Sequence, residues 1–180
     1  GRQAIVLIGS AGMARSVKNP FTVAEREAMV LADLSPVQRA RVCCYGLPDC
    51  GDDAQWVQAV RAQVRAAESA GAADGEQGGG FTAEDRPAQP PVLLGHFKDE
   101  SSYYLRLFPD WTLQSVESFR HINATDIRAQ YFAAPACGQA DFAALPPGTL
   151  AFLKAFAQSA DYRALAQAAQ HAQALKKPRI

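Results

Sequence analysis

Short, nearly unbroken apolar runs alternate along this chain with longer stretches whose apolar positions recur every three or four residues. Ala4–Ile8 (AIVLI), Arg41–Gly46 (RVCCYG) and Val92–Gly95 (VLLG) are of the first kind. Their length and apolar content, rich in β-branched residues in Ala4–Ile8, predict strands buried within one parallel sheet. Leu113–Val116 predicts a further short strand. Thr22–Leu34 predicts a helix, because Thr22 and Glu25 have the spacing of a capping box and Ser35-Pro36 closes the stretch. Asp52-Asp53 cap a second helix, which carries Trp56, Val57 and Val60 at helical spacing and runs to about Ala67. Ser101–Phe108 puts Tyr104, Leu105 and Phe108 on one face and Arg106 opposite, an amphipathic helix with Ser101 as its cap. Beyond Leu145-Pro146-Pro147, alanine-rich helices over Pro147–Ser159 and Asp161–Lys176 carry the stripes Leu150, Leu153, Phe156 and Tyr162, Leu165, Ala169. Strands alternating with helices give an α/β fold, a mostly parallel sheet flanked by helices with a C-terminal helical extension over 146–180.

Composition narrows the function classes. Lys+Arg and Asp+Glu both number 18 in 180 residues, so there is no basic field of the kind that binds nucleic acid. No apolar run reaches membrane-spanning length and no secretory signal opens the chain, which begins at Gly1. Cys43, Cys44, Cys50 and Cys137 form no CxxC pair and are not clustered with His96, His121 or His171. Reduced thiols in a cytoplasmic protein are the expected state, with no zinc site. Glu68–Pro91 is rich in Ala, Gly, Pro and acids, with little to bury, and reads as a disordered loop insertion in a single domain spanning 1–180.

The chemistry concentrates after the first strand. Ala4–Ile8 ends in the small residues Gly9-Ser10-Ala11-Gly12, where a backbone can approach a ligand closely, and the cations Arg15 and Lys18 precede the capped helix. Strand, small-residue loop with cations, helix N-terminus: this order gathers positive charge and free N–H groups at a sheet's C-terminal edge, where anionic ligands of α/β folds bind. A plain connection between strand and helix would show the same order.

The residues of this stretch, GSAGMARSVKNPFTVAERE, resemble the nicotinamide mononucleotide (NMN) adenylyltransferases, particularly those often fused to a Nudix hydrolase. In that family a G-S-A strand end precedes R-x-x-K-N-P-F-T-x-x-E-R. Two further stretches carry the likeness. His96–Trp111 is similar to the family over its length (G-H-x-K-D-x-S-S-Y-Y-L-x-x-F-P-x-W). Ile122–Arg128 resembles the motif I-S-x-T-x-x-R, with Asn123 in place of its first Ser. In that motif Thr125 sits where a helix cap belongs, so the following N–H groups and Arg128 converge on one point suited to phosphate oxygens.

The resemblance implies a Rossmann-like nucleotidyltransferase that joins NMN to ATP with Mg²⁺, giving NAD and pyrophosphate. It implies Arg128 on the ATP phosphates, and Arg15 and Lys18 on phosphate, most simply that of NMN. Gly9 and Ser10 would floor the nucleotide through their backbone, beside Asn19 and Thr125. Trp56 would form the nicotinamide pocket, with a plain core residue as the alternative. Lys98 would face a phosphate or stand solvated. The partners are small molecules, neither nucleic acid nor membrane, and self-association into a homo-oligomer is compatible with the reading.

The family's H-x-G-H motif and the Nudix box have no counterpart here. Ala4–Gly9 would be the family's second strand, so the first βα unit is expected to lie outside this sequence. A non-catalytic nucleotide-binding module, or another adenylyl- or cytidylyltransferase, stands as the alternative reading.

Overall fold

The computed structural model describes residues 3–73, 90–96, 100–117, 123–133, 142 and 144–176. Strand β1 (Ala4–Ile8) pairs in parallel with β2 (Val42–Gly46), with Ala4 opposite Val42 and Ile8 opposite Gly46. Helix α1 (Val23–Ala32) and the short α2 (Pro36–Arg39) make the crossover. Helix α1 carries the capping box in full: the Glu25 N–H donates to the Thr22 hydroxyl and the Thr22 N–H donates to the Glu25 carboxylate. Ser35-Pro36 does more than end a helix. Ser35 caps α2, reciprocated by Gln38.

Helix α3 (Asp53–Ala73) follows β2, with the Asp52 carboxylate accepting the Gln55 N–H at 2.8 Å. It runs past Ala67, so the first residues of the expected loop insertion are helical. Extending an existing helix needs one hydrogen bond per residue and no buried side chain. Residues 74–89 of that insertion lie outside the described residues.

Strand β3 (Val92–Gly95) pairs in parallel with β4 (Thr112–Ser115). The segment between them, Glu100–Arg106, is a 3-10 helix where an α-helix was expected. Three-residue spacing satisfies the apolar pattern of either. Helices α4 (Ala124–Ala133), α5 (Pro147–Phe156) and α6 (Ala160–Lys176) complete the chain.

Sequence placed all strands in one sheet. Among the described residues they form two separate parallel pairs, β1–β2 and β3–β4. Apolar runs identify strands but do not choose their neighbours. A single apolar cluster of Leu47, Val60 and Phe108 joins the two pairs, with Leu7 of β1 and Leu93 of β3 both packed against it. The strands are also less covered than expected. Ile8 alone among their residues is fully buried, and all of β4 is exposed.

A second core lies in the C-terminal helices, where Tyr131, Phe132, Phe142, Leu153, Phe156, Tyr162, Leu165 and Ala169 pack together. Helix α5 has no side-chain cap of its own. Its Gly148 N–H is instead held by the Asp33 carboxylate at 2.7 Å, which ties α5 to the end of α1. Only glycine fits there, since a Cβ on Gly148 would lie 2.4 Å from the Ala32 Cβ. Among the described residues no helix is long and apolar enough to cross a membrane.

Candidate active site

The loop leaving β1 is held in an unusual backbone. Ser10 has φ +52° and Gly12 φ +83°. A left-handed serine costs about 1–2 kcal/mol and persists only where its surroundings over-determine it. Here the Ser10 hydroxyl donates to Asp49 at 3.0 Å, the Ala11 N–H donates to the Leu47 carbonyl, and Arg26 of α1 donates to the Gly9 carbonyl at 2.6 Å. Gly46 opens the space, because a Cβ there would press on the Ala11 Cβ at 3.0 Å. Gly9 and Ser10 thus sit at the end of β1 with their backbone fixed.

Ser16 and Asn19 then close a tight turn. The Ser16 N–H donates to the Asn19 carbonyl, and the Asn19 N–H to the Ser16 hydroxyl. Lys18 stands exposed within that turn, with no ion pair among the described residues. Arg15 is placed otherwise. Its guanidinium makes a two-pronged pair with Glu25 at 2.6 and 2.8 Å and donates to the Pro20 carbonyl at 2.8 Å. Its Nε lies 2.9 Å from the Asp161 carboxylate. The hydrogen bond from Arg15, aided by the Thr22 N–H, holds the Glu25 carboxyl below the usual carboxylate range, and the same partner raises Arg15.

Trp56, on the first turn of α3, is half-buried. Its ring meets Tyr104 and Phe108 edge-on, each at 5.7 Å, and it packs against the Leu47–Val60–Phe108 cluster. The Tyr103 hydroxyl donates to Asp53 at 2.8 Å, which raises the Tyr103 pKa and fastens the 3-10 helix to α3. Both roles weighed for Trp56, core residue and pocket wall, are compatible with this half-buried position.

At α4 the expected cap is corrected. The helix begins at Ala124, and Asn123 caps it, its side-chain oxygen accepting the Thr125 N–H at 2.8 Å. Thr125 lies inside the first turn, where its hydroxyl accepts from Arg128 Nη2 at 3.3 Å. The Asn123 substitution therefore keeps the capping function, and Thr125 steers Arg128. Arg128 is half-buried and has no ion pair among the described residues.

These groups follow the C-terminal ends of β1, β2 and β4 in turn. Lys98 lies outside the described residues, as do His121 and Cys137. Asp49, Arg26 and Asp161 were not singled out in the sequence. Only Arg26 left a local signal, as the last residue of the T-x-x-E-R segment.

No family model matches the chain. Over 167 residues, 92% of its length, it is 38% identical to the nicotinamide/nicotinic acid mononucleotide adenylyltransferase of Acinetobacter baylyi, of which the match covers 78%. The chain belongs to the nicotinamide/nicotinic acid mononucleotide adenylyltransferase family. The solved structures agree on the fold. A bifunctional NMN adenylyltransferase/ADP ribose pyrophosphatase from Francisella tularensis superposes with a TM-score of 0.72 at 25% identity, covering 99% of this chain and 50% of that one. The same enzyme complexed with AMP and Mn ion gives a TM-score of 0.70 at 24% identity, covering 99% and 49%. The chain therefore spans about half the length of these bifunctional proteins. The Rossmann-like nucleotidyltransferase fold expected from the sequence is the fold of this adenylyltransferase family member.

Proposed function

We propose that this chain makes NAD by adenylyl transfer. The 5′-phosphate of NMN attacks the α-phosphate of ATP, forming the new P–O bond as the bond to pyrophosphate breaks. The step needs no protein nucleophile. It needs two anions aligned against their mutual repulsion and the developing charge met by fixed donors. The observation that carries the reading is the start of α4. There a capped helix N-terminus and an Arg128 steered by Thr125, without a carboxylate partner among the described residues, suit a polyphosphate.

Arg128 takes the ATP phosphates, and Lys18, exposed in its turn, takes a phosphate of the NMN side. The fixed backbone of Gly9 and Ser10, with Asn19 and Thr125, lines the nucleotides. Trp56 offers a ring face to the cationic nicotinamide, and Lys98 serves as a further phosphate cation. Arg15, already held by two carboxylates, is left out of the phosphate set.

Mg²⁺ enters as the partner of the ATP phosphates. Among the described residues no group of three or more His, Cys, Asp or Glu side chains gathers into a cage. That fits an ion carried mainly by substrate oxygens and water. Cytoplasmic residence belongs to the same reading, supported by Cys43, Cys44 and Cys50 as free thiols.

The test is NAD formation from NMN, ATP and Mg²⁺, with the nicotinate counterpart run in parallel. Arg128→Ala should lower kcat/KM about 10²–10³-fold, the scale of removing one fixed charge-stabilising donor, with the fold retained by circular dichroism. Binding of NMN without turnover, both by this chain and by this chain joined behind a βα unit carrying H-x-G-H, would instead identify a non-catalytic module.

A further inference from the structure

Arg15 sits where two parts of the molecule meet. Glu25, its first partner, belongs to the capping box of α1. Asp161, its second, lies in the first turn of α6. Its guanidinium also lies 5.3 Å from the centroid of the Phe156 ring at the end of α5. With the Pro20 carbonyl, four partners therefore converge on a side chain only three residues before Lys18.

The residues around Lys18 are fastened to the same helices. Val17 and Phe21 both pack against the C-terminal cluster, and the Phe21 ring meets Phe152 at 5.5 Å and Phe156 at 5.1 Å. That cluster also mounts α4. The Tyr131 hydroxyl donates to the Leu153 carbonyl at 2.7 Å, and the Tyr162 hydroxyl donates to the Tyr131 carbonyl at 2.8 Å. The loop bearing Lys18 and the helix bearing Arg128 thus share one support, α5–α6, and Arg15 is the polar tie on the loop side.

We infer that Arg15 is a positioning residue: it sets the Lys18 loop against the C-terminal helices and does not itself contact a substrate phosphate. The inference rests on the adenylyltransferase reading. A guanidinium between two carboxylates belongs to a group of net negative charge. A phosphate could recruit it only by breaking a two-pronged pair with good geometry.

Asp161 separates the two roles, because a carboxylate cannot hold a phosphate. If Arg15 touched phosphate directly, Asp161→Asn would leave NMN binding unchanged or improve it by freeing the cation. As a tie, its loss should raise the KM for NMN about two- to five-fold, the range of one lost partly exposed charged contact, with the KM for ATP unchanged. Arg15→Lys should behave like Arg15→Ala, since an ammonium cannot span both carboxylates. Arg15→Ala combined with Asp161→Asn should be no worse than Arg15→Ala alone.

A readout independent of turnover accompanies the kinetics. Amide hydrogen exchange over residues 13–21 should quicken in Asp161→Asn while β1 and β2 keep their protection. Unchanged exchange there overturns the tie. Faster exchange with an unchanged KM for NMN overturns the positioning role, and so does an Arg15→Lys enzyme that works like the parent. An unsubstituted chain that forms no NAD even when joined behind a βα unit carrying H-x-G-H defeats the functional reading and the positioning role with it, while the exchange result still decides the tie.

Discussion

Asn123 is where this chain departs from its family's motif, and its replacement gives a sharp test of the α4 assignment. Asn123→Ala removes the oxygen that accepts the Thr125 N–H at 2.8 Å. Loss of such a cap costs about 1 kcal/mol, and serine caps as well as asparagine. In a chain of this length that lowers Tm by roughly 2–4 °C. The position is exposed, so part of the loss can appear as local fraying of the first turn, and the figure is an upper one. Fraying moves Thr125, whose hydroxyl accepts from Arg128, so catalysis should suffer beyond stability. A fall of about ten-fold in kcat/KM is expected, from a misplacement well short of 1 Å. Asn123→Ser, which restores the family's own residue, should return both Tm and kcat/KM to the parent values. Thermal unfolding and steady-state NAD formation on the three proteins decide the matter. If the serine variant tracks the alanine one, capping is not what Asn123 contributes. If alanine changes neither quantity, the start of α4 is not part of the site.

Trp56→Ala should destabilise the chain by about 2 kcal/mol, below the 3–5 kcal/mol of a fully buried tryptophan because the ring is only half-buried. It should weaken NMN more than ATP in titrations of each nucleotide, and equal losses would return the ring to a purely core role. Stability should also carry an acid limb from Glu25. Arg15 holds that carboxyl below its unfolded value, so its contribution is full above the unfolded carboxylate range near pH ~4.3 and is lost as pH falls through the lower folded value. Denaturant midpoints measured from pH 6 to pH 3 should fall less steeply in Glu25→Gln than in the parent. Parallel curves would show that the pair contributes nothing to stability.

What could be read from the sequence was local. The capping box of Thr22 and Glu25 spans a single helical turn, so its residues announce it wherever the rest of the chain goes. The alternation of apolar runs and helical stripes gave the α/β class for the same reason. At α4 the local signal was ambiguous. Asn123 and Thr125 are both good caps, and the motif favoured the second. The choice fell to the residue whose side-chain oxygen reaches an N–H two positions on, a bond asparagine makes readily. The 3-10 helix over Glu100–Arg106 was misread because its apolar spacing serves either helix type. Leu105 there packs onto Gly95, where a Cβ would lie only 2.6 Å from its methyl carbons, and no one-dimensional pattern encodes that contact.

The least legible part was the state of Arg15. A cation on a loop after a strand reads as a phosphate ligand, and local sequence supplies no reason to think otherwise. Its guanidinium is held by Glu25, ten residues on, and by Asp161, which no motif links to that loop and which only the packing of α6 brings within 2.9 Å. Lys18, three residues on, has no such partner among the described residues and stays exposed. Two cations that look alike in the chain are thus separated by the carboxylates around one of them, Glu25 nearby and Asp161 from far along the chain: Arg15 is spent on holding the loop, and Lys18 stays free to meet an anion.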